Sequence, residues 1–205
     1  MNILDQASFS YQDVEITSRE SLFRGFIQVE KVHLRHRQFA DAQYTPVLTR
    51  ELIHRPEAAG VLIYDDQQQK FALIEQFRVG ALDDQHSPWQ LEVIAGVLDG
   101  DESPESCIYR ESLEEAGCQI FDLQHLFSFY PSAGACSELF HLYAAKADLT
   151  AAGGIFGMSD EGEDIKLHLF EYSDIAALFS QGRLRNSPVI MALQWLQQQI
   201  NTIKK

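Results

Sequence analysis

Between Gly96 and Cys118 the chain reads GVLDGDESPESCIYRESLEEAGC, and this stretch holds the residues best suited to chemistry. A helix is expected from Pro104 to about Ala116. Ser103 suits the N-cap, Pro104 the first helical position, and Gly117 a left-handed stop. On that helix Glu111 and Glu115 are four apart and share a face, with Glu114 beside them. Tyr109, Ser112, Leu113 and Ala116 form the less polar side expected to pack. Like charges at this spacing cost a few tenths of a kcal/mol. They also lie in the last turns, where the helix dipole disfavours anions. Arg110 can neutralise one carboxylate, and a hard divalent cation such as Mg²⁺ would neutralise more while keeping waters for a phosphate ligand. On charge alone, three glutamates on a helix make only a solvated acidic face.

The spacing resembles the Nudix box: Gly, five residues, Glu, seven residues, Arg-Glu, an apolar residue, any residue, Glu-Glu, any residue, Gly, an apolar residue. Gly96, Glu102, Arg110, Glu111, Glu114, Glu115 and Gly117 match in register. Ser112 and Cys118 stand at the two apolar positions, a departure that concerns packing rather than chemistry. Outside the box, IEQFR at 74–78, PWQLEVIAG before the box, Ser137-Glu138, the SDEGEDI loop and the ending ALQWLQ look like bacterial ADP-ribose pyrophosphatases. The likeness covers roughly residues 45–200. One marker is displaced. That subfamily carries a proline about fifteen residues after the box, whereas Pro131 stands thirteen after Cys118 and Ala133 holds the fifteenth place.

The resemblance implies a Nudix α/β/α sandwich with a mixed sheet, and a homodimer whose N-terminal arms swap to contribute to the partner's pocket. It implies hydrolysis of ADP-ribose to AMP and ribose 5-phosphate, with Mg²⁺, or Mn²⁺ in its place, as cofactor. Glu111, Glu115, the Ala95 carbonyl and Glu163 match metal ligands, with Glu114 a weaker ligand or supporting group. Glu161 matches the general base that activates water. Arg78 is the candidate for the diphosphate, since a guanidinium fork fits phosphate oxygens. Arg50, Glu92 and Glu138 are further substrate-binding candidates, Glu92 having a nearby arginine as its plain structural partner. Glu102 and Arg110 are expected to fix the loop to the helix, and Gly96 to leave room for a turn. Two other readings stay open. One is a Nudix hydrolase of another nucleoside diphosphate derivative, such as a sugar nucleotide, NADH or a dinucleoside polyphosphate. The other is a non-catalytic nucleotide-binding regulator.

The elements that must hold these residues follow from pattern. Residues 12–50 are strand-rich, and a boundary near residue 50 separates a small N-terminal arm (1–50) from the main domain (51–205). AAGVLIY at 58–64 and FALIEQFRV at 71–79 flank a polar turn and suggest a hairpin. A strand starts at Trp89, LQHLFSFY and ELFHLYAAKAD are strands, residues 151–164 a loop, and IKLHLFEY a strand. A short helix runs from Ser173 to Phe179, and a last one starts at Ser187-Pro188. Few helices among several strands give a mixed α/β (α+β) class. Trp89 and Trp195 are expected in the core. The seven histidines show no HxxxH or HExxH spacing and are read as surface or partly buried groups.

The 205 residues carry 16 Lys+Arg and 30 Asp+Glu, a net charge of −14. A field of that sign repels nucleic-acid backbones, so no nucleic-acid partner is expected. Cys107, Cys118 and Cys136 make neither a disulfide framework nor a zinc pattern, which fits a reducing cytoplasm. No signal peptide or membrane-spanning run is recognisable, so no membrane partner is expected.

Overall fold

The structure is a computed structural model, which describes residues 7–158 and 162–203. The chain divides into two compact units, one made of residues up to 56 with 132–138, the other of 57–131 and the residues from 139 onward. The strand-rich arm thus runs past residue 50, because β3 spans that position, and it recruits a later segment.

In the first unit β1 (Val14–Arg24), β2 (Gln28–His36) and β3 (Leu48–His54) form an antiparallel meander. Segment 132–138 joins it through Ile53, whose N–H donates to the Ala135 carbonyl and whose carbonyl accepts from Ser137. Cross-strand ion pairs line the meander, among them Arg35–Glu15 at 2.6 Å and Arg19–Glu30 at 2.8 Å. Val32 is its only buried apolar side chain among the described residues, while Ile16, Leu22, Phe23 and Phe26 are exposed. Three strands with so little buried surface are marginal by themselves.

The second unit is built on a mixed eight-stranded sheet. β4 (Ala58–Asp65) and β5 (Lys70–Phe77) lie at its centre, and their near-continuous apolar runs are buried on both faces. The order is β10-β11-β5-β4-β9-β8, with β6 (Trp89–Glu92) also on β5 and β7 (Ile94–Val97) also on β4. The outer strands are β8 (Phe121–Phe129), β9 (Phe140–Lys146), β10 (Gly154–Phe156) and β11 (Ile165–Glu171). β10 is a short strand within the stretch expected to be all loop. β4–β9 is parallel and the other pairs are antiparallel.

Helices cover both faces, so the sandwich expected from the resemblance is present. On one face α1 (Pro104–Glu114) packs Cys107 and Ile108 against Ala59, Val61, Ile74 and Ile94. On the other, α2 (Ile175–Ser180) and α3 (Ser187–Ile203) pack against Leu62, Phe71, Leu73 and Leu142. Val189, Ala192, Leu193 and Leu196 give α3 its inward stripe at helical spacing. No helix of the described residues is long and apolar enough to cross a membrane.

Two packing expectations are corrected. Trp89 is 50% exposed, standing at the start of β6 with its ring edge-on to Phe77, whereas Trp195 packs partly buried against Tyr64. On α1, Tyr109 and Leu113 are 47% and 52% exposed, while Glu111 and Glu115 face inward. The helix is anchored through Cys107, Ile108 and Ser112, and that arc carries the acidic pair toward the sheet with it.

Candidate active site

Local sequence sets the position of α1 at both ends. The Ser103 hydroxyl accepts the Ser106 N–H at 3.2 Å, satisfying one of the free donors of the first turn. At the other end Gly117 takes φ +62, and the N–H groups of Gly117 and Cys118 donate to the carbonyls of Leu113 and Ser112. This left-handed stop leaves Glu115 at the C-cap, its backbone N–H donating to the Glu111 carbonyl.

Glu111 lies directly on Gly96. A Cβ built at Gly96 would overlap the Glu111 carboxylate. Gly96 is within strand β7, paired with Ala59, and not in a turn. Its lack of a side chain serves close approach of the acid rather than a change of chain direction. Glu115 is 4% exposed and its Oε2 accepts the Ala95 N–H at 3.0 Å. Burial pushes the Glu115 carboxyl up to about 8. The Ala95 N–H and the Arg78 charge oppose this rise, and the Glu111 and Glu163 charges add to it. Burial also raises the Glu111 carboxyl, against the pull of Arg110.

Arg110 ties the loop to the helix. Its guanidinium donates to Glu111 Oε1 at 2.6 Å, Glu114 Oε2 at 3.0 Å, and both oxygens of Glu102 at 3.1 and 3.2 Å. Glu102 also accepts the Asp99 N–H at 3.2 Å, so Glu102 and Arg110 make the loop-to-helix contact expected of them. Arg78 forms a two-pronged pair with Glu92, Nε to Oε1 at 3.0 Å and Nη2 to Oε2 at 2.9 Å. The partner expected for Glu92 as a plain structural group is therefore Arg78. Although burial works against its charge, Glu92 holds the Arg78 guanidinium above its ordinary range, with smaller contributions from Glu115 and Glu163.

Glu163 closes the loop before β11. Its carboxylate accepts the Met158 N–H at 3.2 Å, its N–H donates to the Met158 carbonyl, and its charge acts on Glu111, Glu115 and Arg78. Glu161 lies outside the described residues. Arg50 and Glu138 belong to the first unit. Arg50 donates to the Thr49 carbonyl at 2.8 Å, and Glu138 pairs with Arg55 at 2.7 Å. Gln76 escaped the sequence reading. It is buried in β5 two residues before Arg78, and its Nε2 has no hydrogen-bond partner among the described atoms. Its place in IEQFR, in alternation with Arg78, was the available signal.

The second unit therefore gathers Glu92, Glu102, Glu111, Glu114, Glu115 and Glu163 around only two guanidinium groups, Arg78 and Arg110. Among the described residues, no three acidic, His or Cys side chains stand in an arrangement that would hold an ion unaided. The donor set nonetheless fits a hard divalent cation. It is all oxygen, it has more negative than positive charge, and its innermost carboxylate carries an unmet desolvation cost.

A model of the NUDIX domain matches residues 54–193. The chain is 38% identical over 192 residues to the ADP-ribose pyrophosphatase of Haemophilus influenzae, covering 92% of this chain and 88% of that one. It is 37% identical over 190 residues to the ADP-ribose pyrophosphatase of Escherichia coli K12, covering 93% and 90%. It is also 37% identical over 153 residues to a GDP-mannose pyrophosphatase of Yersinia pestis, covering 72% and 74%. Among solved structures, an ADP compounds hydrolase superposes with a TM-score of 0.69 at 21% identity, covering 95% of this chain and 98% of that one. The chain belongs to the Nudix family.

Proposed function

We propose that this protein is a Mg²⁺-dependent diphosphatase that hydrolyses ADP-ribose to AMP and ribose 5-phosphate. The observation that carries this is the inward-facing Glu111–Glu115 pair, with Glu115 pushed up to about 8, on the helix of an intact Nudix box. The likeness to ADP-ribose pyrophosphatases over more than nine-tenths of the chain supports the substrate.

In this reading Glu111, Glu115, Glu163 and the Ala95 carbonyl would hold Mg²⁺, or Mn²⁺ in its place, with Glu114 assisting. The cation would neutralise the diphosphate oxygens and acidify the attacking water. Arg110 keeps Glu111 and Glu114 oriented and braces the loop through Glu102. Arg78 leaves Glu92 to grip phosphate oxygens, and Glu92 is then free to accept ribose hydroxyls. Glu161 takes the proton from water, since it stands two residues before Glu163 on the same acidic loop. Arg50 and Glu138 are further candidates for substrate contacts. A second copy of the chain is the partner. The exposed Ile16, Leu22, Phe23 and Phe26 of the meander support a homodimer. Three unpaired cysteines support a cytoplasmic location. Retention of Glu111, Glu114 and Glu115 favours catalysis over nucleotide binding alone.

One second reading has its own support. The displaced Pro131 and the GDP-mannose pyrophosphatase relative favour a sugar nucleotide as substrate. Nucleoside monophosphate release (AMP, GMP or UMP) from ADP-ribose, GDP-mannose, UDP-glucose, NADH and diadenosine tetraphosphate, with Mg²⁺ and with chelator, separates the two. The highest kcat/KM on ADP-ribose, abolished by chelator, is expected. A higher value on GDP-mannose would replace the substrate. No metal-dependent release from any of them would overturn the hydrolase assignment.

A further inference from the structure

On the face of the sheet that α1 covers, three polar side chains of β8 and β9, with Glu57 just before β4, form an unbroken line. His125 Nε2 lies 2.9 Å from Ser128 Oγ, Ser128 Oγ lies 2.9 Å from His141 Nδ1, and His141 Nε2 lies 2.9 Å from Glu57 Oε2. None of these residues belongs to the acidic site.

The carboxylate end of this line selects one tautomer of the His141 ring. A carboxylate only accepts, so His141 donates its Nε2–H to Glu57. In that tautomer Nδ1 carries no proton and is placed to accept the Ser128 hydroxyl proton. Ser128 Oγ in turn accepts from His125 Nε2–H. A serine hydroxyl giving its proton to an imidazole that a carboxylate orients is the arrangement of an activated nucleophile. His141 is 14% exposed and Glu57 54%, while Ser128 itself is exposed, so the base is sheltered and the nucleophile reachable.

Local backbone geometry builds the line. Ser128 and His141 are cross-strand partners, as are His125 and Tyr143. Residues 125 and 128 would point to opposite faces of a regular strand. A break in register between His125 and Phe127 inserts one extra residue and returns both side chains to one face. The His125 ring is then held edge-on to Tyr143, whose hydroxyl donates to Glu105 at 2.9 Å. β8 ends the strand order, so its outer N–H groups face no strand among the described residues.

We infer that Ser128, with His141 as base and Glu57 as its orienting carboxylate, is a second, metal-independent nucleophilic site that takes an acyl group from small carboxylic esters. Ser128 Oγ bonds to the ester carbonyl carbon as its proton passes to His141 Nδ1, and Glu57 stabilises the imidazolium. The bond to the alcohol oxygen breaks, and His141 returns the proton to the departing alcohol. Water then attacks the acyl-serine and gives its proton to His141. The carboxylic acid leaves as Ser128 Oγ regains that proton. His125 Nε2–H, released from Ser128 Oγ once that atom is acylated, can hold the carbonyl oxygen.

The test is p-nitrophenyl acetate hydrolysis with chelator present, which silences the proposed diphosphatase, together with labelling by an alkyl fluorophosphonate and peptide mapping. The full-length protein is expected to take one label at Ser128. Its metal-free esterase rate should fall by about a hundredfold in Ser128→Ala and in His141→Gln. ADP-ribose hydrolysis with Mg²⁺ should persist in both variants, which reports an intact fold and keeps the two sites distinguishable. Ser128→Cys is expected to move labelling from the fluorophosphonate to iodoacetamide at the same position. A wild-type esterase rate equal to that of Ser128→Ala, or a label mapped elsewhere, overturns the proposal.

Discussion

Replacing Glu115 by Gln removes an ionisable carboxyl while keeping the shape of the side chain and the acceptor for the Ala95 N–H. Metal-free and metal-loaded protein should respond in opposite directions. In the folded chain burial pushes this carboxyl up to about 8, against an ordinary value of 4.5. A carboxyl raised by folding contributes stability below its unfolded value and loses it as pH rises through the folded one. At pH 7 the span from 4.5 corresponds to about 3 kcal/mol against the folded state. Glu115→Gln removes that cost, because an amide does not ionise. For a chain of this size the metal-free variant should melt roughly 6–12 °C higher at pH 7. The gap should shrink to nothing near pH 4.5 and widen toward pH 8. With saturating Mg²⁺ the wild type should gain in Tm and the variant much less, because a ligand charge is gone. Turnover of ADP-ribose should fall by about a hundredfold or more. Thermal melts at several pH values with chelator and with Mg²⁺, beside kcat, test the chain of reasoning. A metal-free Tm equal to wild type at pH 8 would refute the burial argument, and near-wild-type turnover would refute the metal assignment.

Gly96→Ala places a methyl group where the Glu111 carboxylate lies, so it should cost about 1–3 kcal/mol in urea unfolding and lower kcat with it. Arg110→Met leaves Glu102, Glu111 and Glu114 without their shared cation. A lower Tm is expected, partly restored by Mg²⁺. Arg78→Lys breaks the two-pronged pair with Glu92 and offers phosphate a point charge instead of a fork. KM for ADP-ribose should rise about tenfold with a smaller change in kcat. An unchanged KM would remove Arg78 from substrate binding.

The sequence alone determined where the chemistry sits along the chain. Gly96, Glu102, Arg110, Glu111, Glu114, Glu115 and Gly117 keep their spacing because one loop and one helix must present them together, and both ends of that helix are encoded locally by Ser103-Pro104 and Gly117. The central strands were equally legible, since apolar runs such as AAGVLIY need cover on both faces. The direction in which α1 turns its acids was not. A helix bearing both Glu111 and Leu113 has two candidate inward faces, and contact of Cys107, Ile108 and Ser112 with the sheet selects the acidic one. The Arg78–Glu92 pair spans 14 residues and exists because β5 and β6 run antiparallel. The line from Glu57 through His141 and Ser128 to His125 joins residues up to 84 apart, and it depends on a single extra residue in β8. Spacing along a chain reports what one element can present. Only the packing of sheet and helices decides which way that element faces and which distant side chains meet.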